Sequence, residues 1–512
     1  MWSSSRRFAF IPALSWLAVS AFAQAPQSSS TGAVNELAAM RSENEAIREQ
    51  LRRLEAQQET LLRLVAELQQ RIDGAPPAPA AVPPSPTPAE PAMPPSAPPE
   101  TPPQPAPSQA ADPSGGRYED GIVLVRTPES SRFPLLLKIW DVSQIRYTNT
   151  LLGAQTFTDH LGIVRPVTLR NDVSLNRNMI QFVGYVFDKR LQFNLITWAS
   201  NSSAAIVAGG YVSFKFNKAI AAYAGYWGAP GTRSLTGTFP YFVQLDRTMA
   251  DQFFRPGFTQ GTWIDGEPWN GFHYEMFVGN GLNTLTIPTT KIDRHLVYSG
   301  SIWWEPLGTY GLSGRARGMF DDYQSRKKPS IRVGASYTKS REDRFSNLDE
   351  HNPENVALFN SDGVNTFATG AFAPGVTLNE AVYRMLAADA GVKWRGLAVN
   401  SQYFFRWLNK FIADGPLPLK STFDHGFETE ISKMVVPKRW ELYGRTSFIF
   451  GQFRNSYEYA GGVKYYLVPN NHRVWLVGEA LRVFRSPLSS VITPYNSGLT
   501  GWAPLVQWMF NF

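Results

Sequence analysis

From residue 118 to the C-terminus the chain repeats one pattern: about ten residues in which apolar and polar side chains alternate, then a turn or a loop. Ile180, Phe182, Gly184 and Val186 alternate with Arg177, Gln181 and Tyr185. Leu191, Phe193 and Leu195 alternate with Arg190, Gln192 and Asn194. The pattern returns in Ile331, Val333, Ala335 and Tyr337 against Arg332, Gly334, Ser336 and Thr338. It recurs in Trp440, Leu442, Gly444 and Phe448 against Glu441, Tyr443, Arg445 and Ser447, and in Tyr459, Gly461, Val463, Tyr465 and Leu467 against Glu458, Gly462 and Lys464. A period of two puts each set on its own face of an extended strand. Strands are expected near 135–148, 168–187, 190–198, 207–217, 219–227, 259–266, 270–279, 296–305, 331–340, 381–394, 397–408, 424–435, 440–450, 457–467, 473–483 and 503–512.

An ordinary half-buried sheet also alternates, so the surroundings of the pattern decide what it means. Arg6 and Arg7 precede an apolar run from Phe8 to Phe22, and Ala21-Phe22-Ala23 is a small-x-small cleavage site, so residues 1–23 read as a signal peptide. No later stretch holds about 18 uninterrupted apolar residues, so no other helix is expected to span a bilayer. Aromatics make up 13% of the chain and crowd the apolar face of the strands. Charged residues are 18%, against about a quarter in a typical soluble domain. An exported chain with sixteen strands, aromatic on one face and polar on the other, is expected to close into an all-β transmembrane barrel of antiparallel strands in a bacterial outer membrane. The connections agree. Asn217-Lys218, Arg395-Gly396 and Pro469 to His472 are short turns, whereas 228–258, 341–380 and 484–502 are long loops. Parity requires residues 306–330 to be a long excursion on the short-turn, periplasmic side. The last strand alternates toward a terminal aromatic through Val506, Trp508, Phe510 and Phe512, as the assembly signal of such barrels does.

Ahead of the barrel (117–512) lie three further segments. A short lead, 24–36, precedes an α-helical coiled coil at 37–73. Its a and d positions run Leu37, Met40, Asn44, Ile47, Leu51, Leu54, Gln58, Leu61, Val65, Leu68 and Ile72 without a slip. Such a narrow apolar stripe buries little unless it meets copies of itself, so the helix is expected to self-associate. A linker, 74–116, follows. It carries 17 prolines between residues 74 and 113, which no helix or core accommodates. With the barrel N-terminus on the periplasmic side, coil and linker are expected in the periplasm, long enough to reach the peptidoglycan.

Residues 117–512 hold 41 basic and 31 acidic residues, a net charge of +10. That favours anions as cargo. With the aromatic face toward lipid, the strand phase turns Arg177, Lys215, Arg332, Lys393, Arg406, Arg445 and Lys464 into the lumen, where a cation attracts a hydrated anion and an arginine fork matches an oxyanion. Asp389, Glu428, Glu430, Glu441 and Glu458 share that face and offer those cations partners. Arg233, Arg247 and Arg255 in loop 228–258 are candidates for a constriction, with Asp246 and Asp251 beside them. No cysteine is present, the six histidines lack metal-ligand spacing, and Gly279-Asn280-Gly281 is no phosphate or dinucleotide fingerprint. His273 near Glu275 is the nearest approach to a catalytic pair, and it is one residue type in a large wall. Neither catalytic residues, a metal nor a cofactor is expected, and no clustered basic face suggests nucleic acid.

From about residue 175 onward the chain resembles the phosphate-selective porin O/P family. The resemblance rests on Leu175 to Phe193 (LNRNMIQFVGYVFDKRLQF), Tyr211 to Pro230 (YVSFKFNKAIAAYAGYWGAP), Leu245-Asp246-Arg247, Gln260-Gly261, Trp269 to Gly281, Asp322-Tyr323, Pro329 to Tyr337 and Glu458 to Leu467. It implies a sixteen-stranded, trimeric porin whose third outer loop, here 228–258, folds into a lumen that favours anions. Two cations of the family pattern are absent: Gly228 stands where a basic residue precedes the Pro, and Asn176 where the first of two arginines opens the second strand. The expected function is passive diffusion of small hydrophilic solutes, with anion preference and phosphate or polyphosphate as cargo. The expected partners are those solutes, outer-membrane lipids, two further copies of the chain and peptidoglycan. The alternative is a tether to the cell wall whose barrel is mainly an anchor.

Overall fold

The computed structural model describes residues 118–512 except Glu129, Asn283, Leu285, Thr286, 288–291, Asp293, Ser313, Ser346, 349–356 and the side chain of Arg315. The signal peptide, coiled coil and linker of the sequence reading lie outside the described residues. The strands are β1 (Ile122–Arg126), β2 (Leu135–Asn149), the short β3 (Leu152–Gly153), β4 (Thr156–Thr158) and β5 (Val164–Pro166), β6 (Asn171–Val186), β7 (Asp188–Ser200), β8 (Ala205–Lys215) and β9 (Ala221–Gly228). A short helix, α1 (Met249–Phe254), separates them from β10 (Phe258–Trp269), β11 (Phe272–Gly279), β12 (Val297–Trp304), β13 (Ser330–Asp343) and β14 (Leu378–Trp394). Next come β15 (Leu397–Ala413), β16 (Ser421–Val436), β17 (Trp440–Phe450), β18 (Asn455–Tyr466), β19 (Val474–Phe484) and β20 (Gly501–Asn511).

Sixteen of these, β2 and β6–β20, each pair antiparallel with their chain neighbours, except that β2 pairs directly with β6. The last strand returns to the first, Val142 opposite Asn511 through Thr148 opposite Leu505, so the wall closes and leaves no long open edge. β1 lies beside the start of β2, with Ile122 opposite Ile139, and continues the edge that β20 leaves. All sixteen strands expected from alternation are present, each within a few residues of its expected limits.

The two faces meet different surroundings. Along β20, Trp502, Val506, Trp508 and Phe510 are exposed on the outside while Ala503, Leu505, Gln507, Met509 and Asn511 are buried inside. Along β17, Trp440 and Leu442 point out and Glu441, Tyr443, Arg445 and Ser447 point in. An apolar exterior of this extent, backed by an interior of paired charges, is the arrangement of a wall whose outer solvent is lipid. One local break matters for the lumen. Opposite Gln144 and Ile145 the β2–β6 register slips, with Arg177 and Leu175 as partners and Asn176 left between them. This bulge buries both Asn176 and Arg177, although they are adjacent in sequence.

The lumen is occupied by the chain's own connections. Residues 229–257, third of the long-side connections, are almost entirely buried. So are Leu358, Phe359, Phe367 and Phe372 of 344–377, and Leu488, Ile492 and Tyr495 of 485–500. The connection 305–329 keeps the expected parity but is not an outward excursion. Tyr310, Met319, Phe320 and Tyr323 are buried, and the Phe320 amide donates to the Tyr241 carbonyl of the third loop at 3.1 Å. Four large apolar side chains have no favourable place in water, and the barrel interior supplies one.

Candidate functional site

The third loop is held to one side of the lumen by charge. Asp246 pairs with Arg146 of β2 and with Arg177 of β6, each at 2.7 Å. Beside it, the Gln507 side chain donates to the Leu245 carbonyl at 3.1 Å, and Lys464 to the Phe242 carbonyl at 2.8 Å. Thr248 caps α1 by accepting from the Asp251 amide. The helix then turns its first free amides to the wall: Met249 donates to Glu458 Oε1 at 2.9 Å and Ala250 to Ser447 Oγ at 3.2 Å. Glu428 accepts from Thr248 and Glu430 from Gln244. Burial by itself raises the Asp246 carboxyl, but Arg177 and Arg146 outweigh it and hold it well below the usual carboxylate range.

The seven inward cations all lie on the interior face, and the structure gives them different company. Arg177 belongs to the Asp246 cluster. Arg406 pairs with Asp424 at 2.7 Å and lies over the Phe253 ring. Arg445 pairs with Glu479 at 2.8 Å, with Glu458 3.9 Å away. Lys464 sits 3.3 Å from Asp321 and 3.5 Å from Glu441. Lys393 donates to the carbonyls of Tyr310 and Met319 at 2.9 and 2.6 Å. Arg332 pairs with Asp389 at 3.0 Å. Lys215, at the short-turn end of β8, is exposed. Of the loop arginines, Arg233 lies over the Phe320 ring at 3.9 Å, Arg247 donates to Ser234 at 3.1 Å and Arg255 to Gln252 at 3.0 Å. All three are buried.

Opposite the packed side, a cavity of about 470 Å³ remains. Its wall comes from strands β2 and β6–β13, and its far side from the third loop and Gly314–Gly318. The lining is aromatic. Tyr223 stacks on Trp263 at 5.1 Å, and Tyr211 meets Tyr223, Trp227 and Trp263 edge-on at 5.2–5.4 Å. Gly225, at φ +149, makes room for this cluster, since a Cβ there would lie 2.6 Å from the Tyr211 Cα. Asp265 of β10 stands directly opposite Glu275 of β11, and both line the cavity. Arg332, Arg177 and Arg247 line it from other directions. Gly314 and the half-exposed Arg317 stand at its rim, so the cavity reaches solvent at the short-turn end. Arg317 there donates to His273 Nε2 at 2.9 Å and sits 3.4 Å from Glu267.

The sequence matches no protein-family profile. It matches no curated protein either. Among solved structures it is similar to the outer-membrane expressed OmpT of Vibrio cholerae, with 9% identity and a TM-score of 0.46 over 75% of this chain and 99% of that one. The outer membrane channel DcaP of Acinetobacter baumannii matches with 8% identity and a TM-score of 0.43 over 76% and 100%. OprB of Pseudomonas putida matches with 10% identity and a TM-score of 0.40 over 73% and 94%.

Arg146 and the Tyr211, Tyr223, Trp263, Asp265 and Glu275 group were not singled out as lumen residues from sequence. The available signal was parity: Trp263 and Asp265 share a face, as do His273 and Glu275, which places these rings on the polar side of their strands.

Proposed function

We propose that the chain is an outer-membrane channel for passive diffusion of small hydrophilic solutes. The observation that carries this reading is the closed sixteen-strand wall, apolar outside and charged inside, with a cavity left beside an inward-folded third loop. Anion preference, with phosphate or polyphosphate among the anions, is supported by the net charge of +10 over 117–512, by Arg317 at the cavity rim and by Lys215, exposed at the short-turn end of β8. Phosphate itself rests on the family resemblance. Arg332, Arg406, Arg445 and Lys464 are engaged by carboxylates and lend the preference less. Three copies sharing a threefold axis are supported by the unbroken heptads at 37–73, and a periplasmic contact with peptidoglycan by the length of the linker.

Planar-bilayer recording of the purified full chain in chloride, phosphate and potassium salts tests the channel. Discrete conductance steps with anion-directed reversal potentials are expected. A barrel that inserts without conducting would leave the second reading, a wall tether with the barrel as anchor, which the packing of four connections inside the lumen favours. Deletion of 24–113 is expected to spare conduction, abolish the trimer by native mass measurement and loosen co-sedimentation with peptidoglycan.

A further inference from the structure

Most inward carboxylates of this barrel have a cation: Asp424 has Arg406, Glu479 has Arg445, Asp389 has Arg332 and Asp246 has two arginines. Glu428 and Glu430 are engaged by the third loop. Asp265 and Glu275 differ. They face each other across β10 and β11, and directly opposed residues hold their Cβ atoms about 4.5–5.5 Å apart. Neither forms an ion pair among the described residues. Tyr223 donates to Asp265, whereas Glu275, buried, has an Oε1 with no hydrogen-bond partner. Ionised together, carboxylates on directly opposed residues repel each other, and a buried carboxylate oxygen without a donor is costly. Both are relieved by a cationic donor placed between them.

The surroundings define the rest of such a ligand. The carboxylates open into the cavity of about 470 Å³, a volume suited to a small organic molecule. Trp263, two residues from Asp265, and the Tyr211, Tyr223 and Trp227 rings form an aromatic wall beside the acids. Aromatic faces attract organic cations and cover flat apolar bodies. A bare metal ion fits poorly, because no group of three or more His, Asp or Glu ligands converges among the described residues.

We propose that the Asp265–Glu275 pair and the adjoining aromatic wall form a binding site for small organic ammonium compounds with an apolar ring. The ammonium lies between the two carboxylates, and the ring lies against Tyr211, Tyr223 and Trp263. The site is a local acidic pocket within a wall of net positive charge. It goes beyond the channel reading and does not require conduction.

Isothermal titration calorimetry on the detergent-solubilised full chain tests it, with three probes of one shape at neutral pH: 2-phenylethylamine, 2-phenylethanol and phenylacetate. The amine is expected to bind more tightly than the alcohol by about tenfold or more, and phenylacetate to bind most weakly. The double variant D265N/E275Q is expected to bring amine and alcohol to within about twofold of each other while the alcohol's affinity is kept. Equal affinities for the three probes, no binding of the amine, or a preference that survives in D265N/E275Q would overturn the proposal. If the double variant does not assemble a heat-modifiable barrel, E275Q alone is measured, and the wild-type ranking decides by itself. Calorimetry reads binding without current, so a silent barrel in the bilayer would sink the channel reading and leave this test standing.

Discussion

The two sides of the lumen use charge in opposite ways. On the side of β13–β20, β2 and the start of β6, charges are engaged by an opposite charge or by the loop: Asp246 holds Arg146 and Arg177, Arg445 holds Glu479, the α1 amides reach Glu458, and Glu428 and Glu430 accept from Thr248 and Gln244. That side is closed by packing. Along β8–β12, rings line the interior, a cavity remains, and two carboxylates face each other with no ion pair to either among the described residues. One wall pattern of alternating polar and apolar residues thus yields both a docking surface for the chain's own loop and an open surface for something else. Net charge per strand does not distinguish them. Which charges have partners does.

The contrast breaks most sharply at Asp246. D246N leaves Arg146 and Arg177 buried without their carboxylate, and removal of one partner from such a cluster costs about 3–5 kcal/mol. The heat-modifiability midpoint of the barrel is expected to fall and the conductance to rise as the loop loosens. On the open side, D265N removes one of two opposed carboxylates while keeping an acceptor for Tyr223, so stability is expected to hold or rise. Equal destabilisation by both variants would erase the distinction. The same measurement has a pH signature. The Asp246 carboxyl is held low in the folded chain, so its contribution is complete above about pH 4, the ordinary carboxylate value, and declines as pH falls further. D246N is expected to lack that decline.

A smaller effect separates two arginines. R445Q leaves Glu479 and Glu458 without a cation and is expected to cost about 3 kcal/mol with little change of reversal potential. R332Q likewise leaves Asp389 without its cation, but it does so at the cavity, and is expected to shift the reversal potential toward cations. Recordings near 0.1 M salt keep the Debye length at about 10 Å, so the shift is not screened away. A shift of equal size in both variants would mean that the packed side also carries current.

The smallest effect belongs to Lys215, exposed at a strand end. K215Q is expected to change stability by less than about 0.5 kcal/mol and to move selectivity slightly toward cations. A change as large as that of R332Q would place the selective region at the short-turn mouth.

The strands were legible in the sequence because lipid outside and a polar lumen inside impose a period of two on both faces, as in Trp440 to Ser447. What fills the lumen was not, since a loop leaves no period. Residues 306–330 read as an excursion because parity fixes only where a connection begins and ends, whereas Phe320 and Tyr323 settle where it goes. The inward direction of Arg445 and Lys464 was readable from phase; their partners Glu479 and Asp321 lie on a neighbouring strand's far neighbour and on a connection, which phase does not reveal. Inward aromatics such as Trp263 contradict the rule that rings face lipid, so the cavity was hidden behind a generalisation that holds for most of the wall.

The central claim is that the cavity side is the accessible side of the lumen, and the absence of cysteine from the sequence makes it directly measurable. D265C and S447C each introduce a single thiol, one at the cavity and one beneath α1. Single-channel current is recorded while a water-soluble, membrane-impermeant cationic methanethiosulfonate is added. D265C is expected to react and lose current stepwise, with S447C unreactive until the barrel is unfolded. Rapid modification and block at S447C, with D265C untouched, would contradict the account.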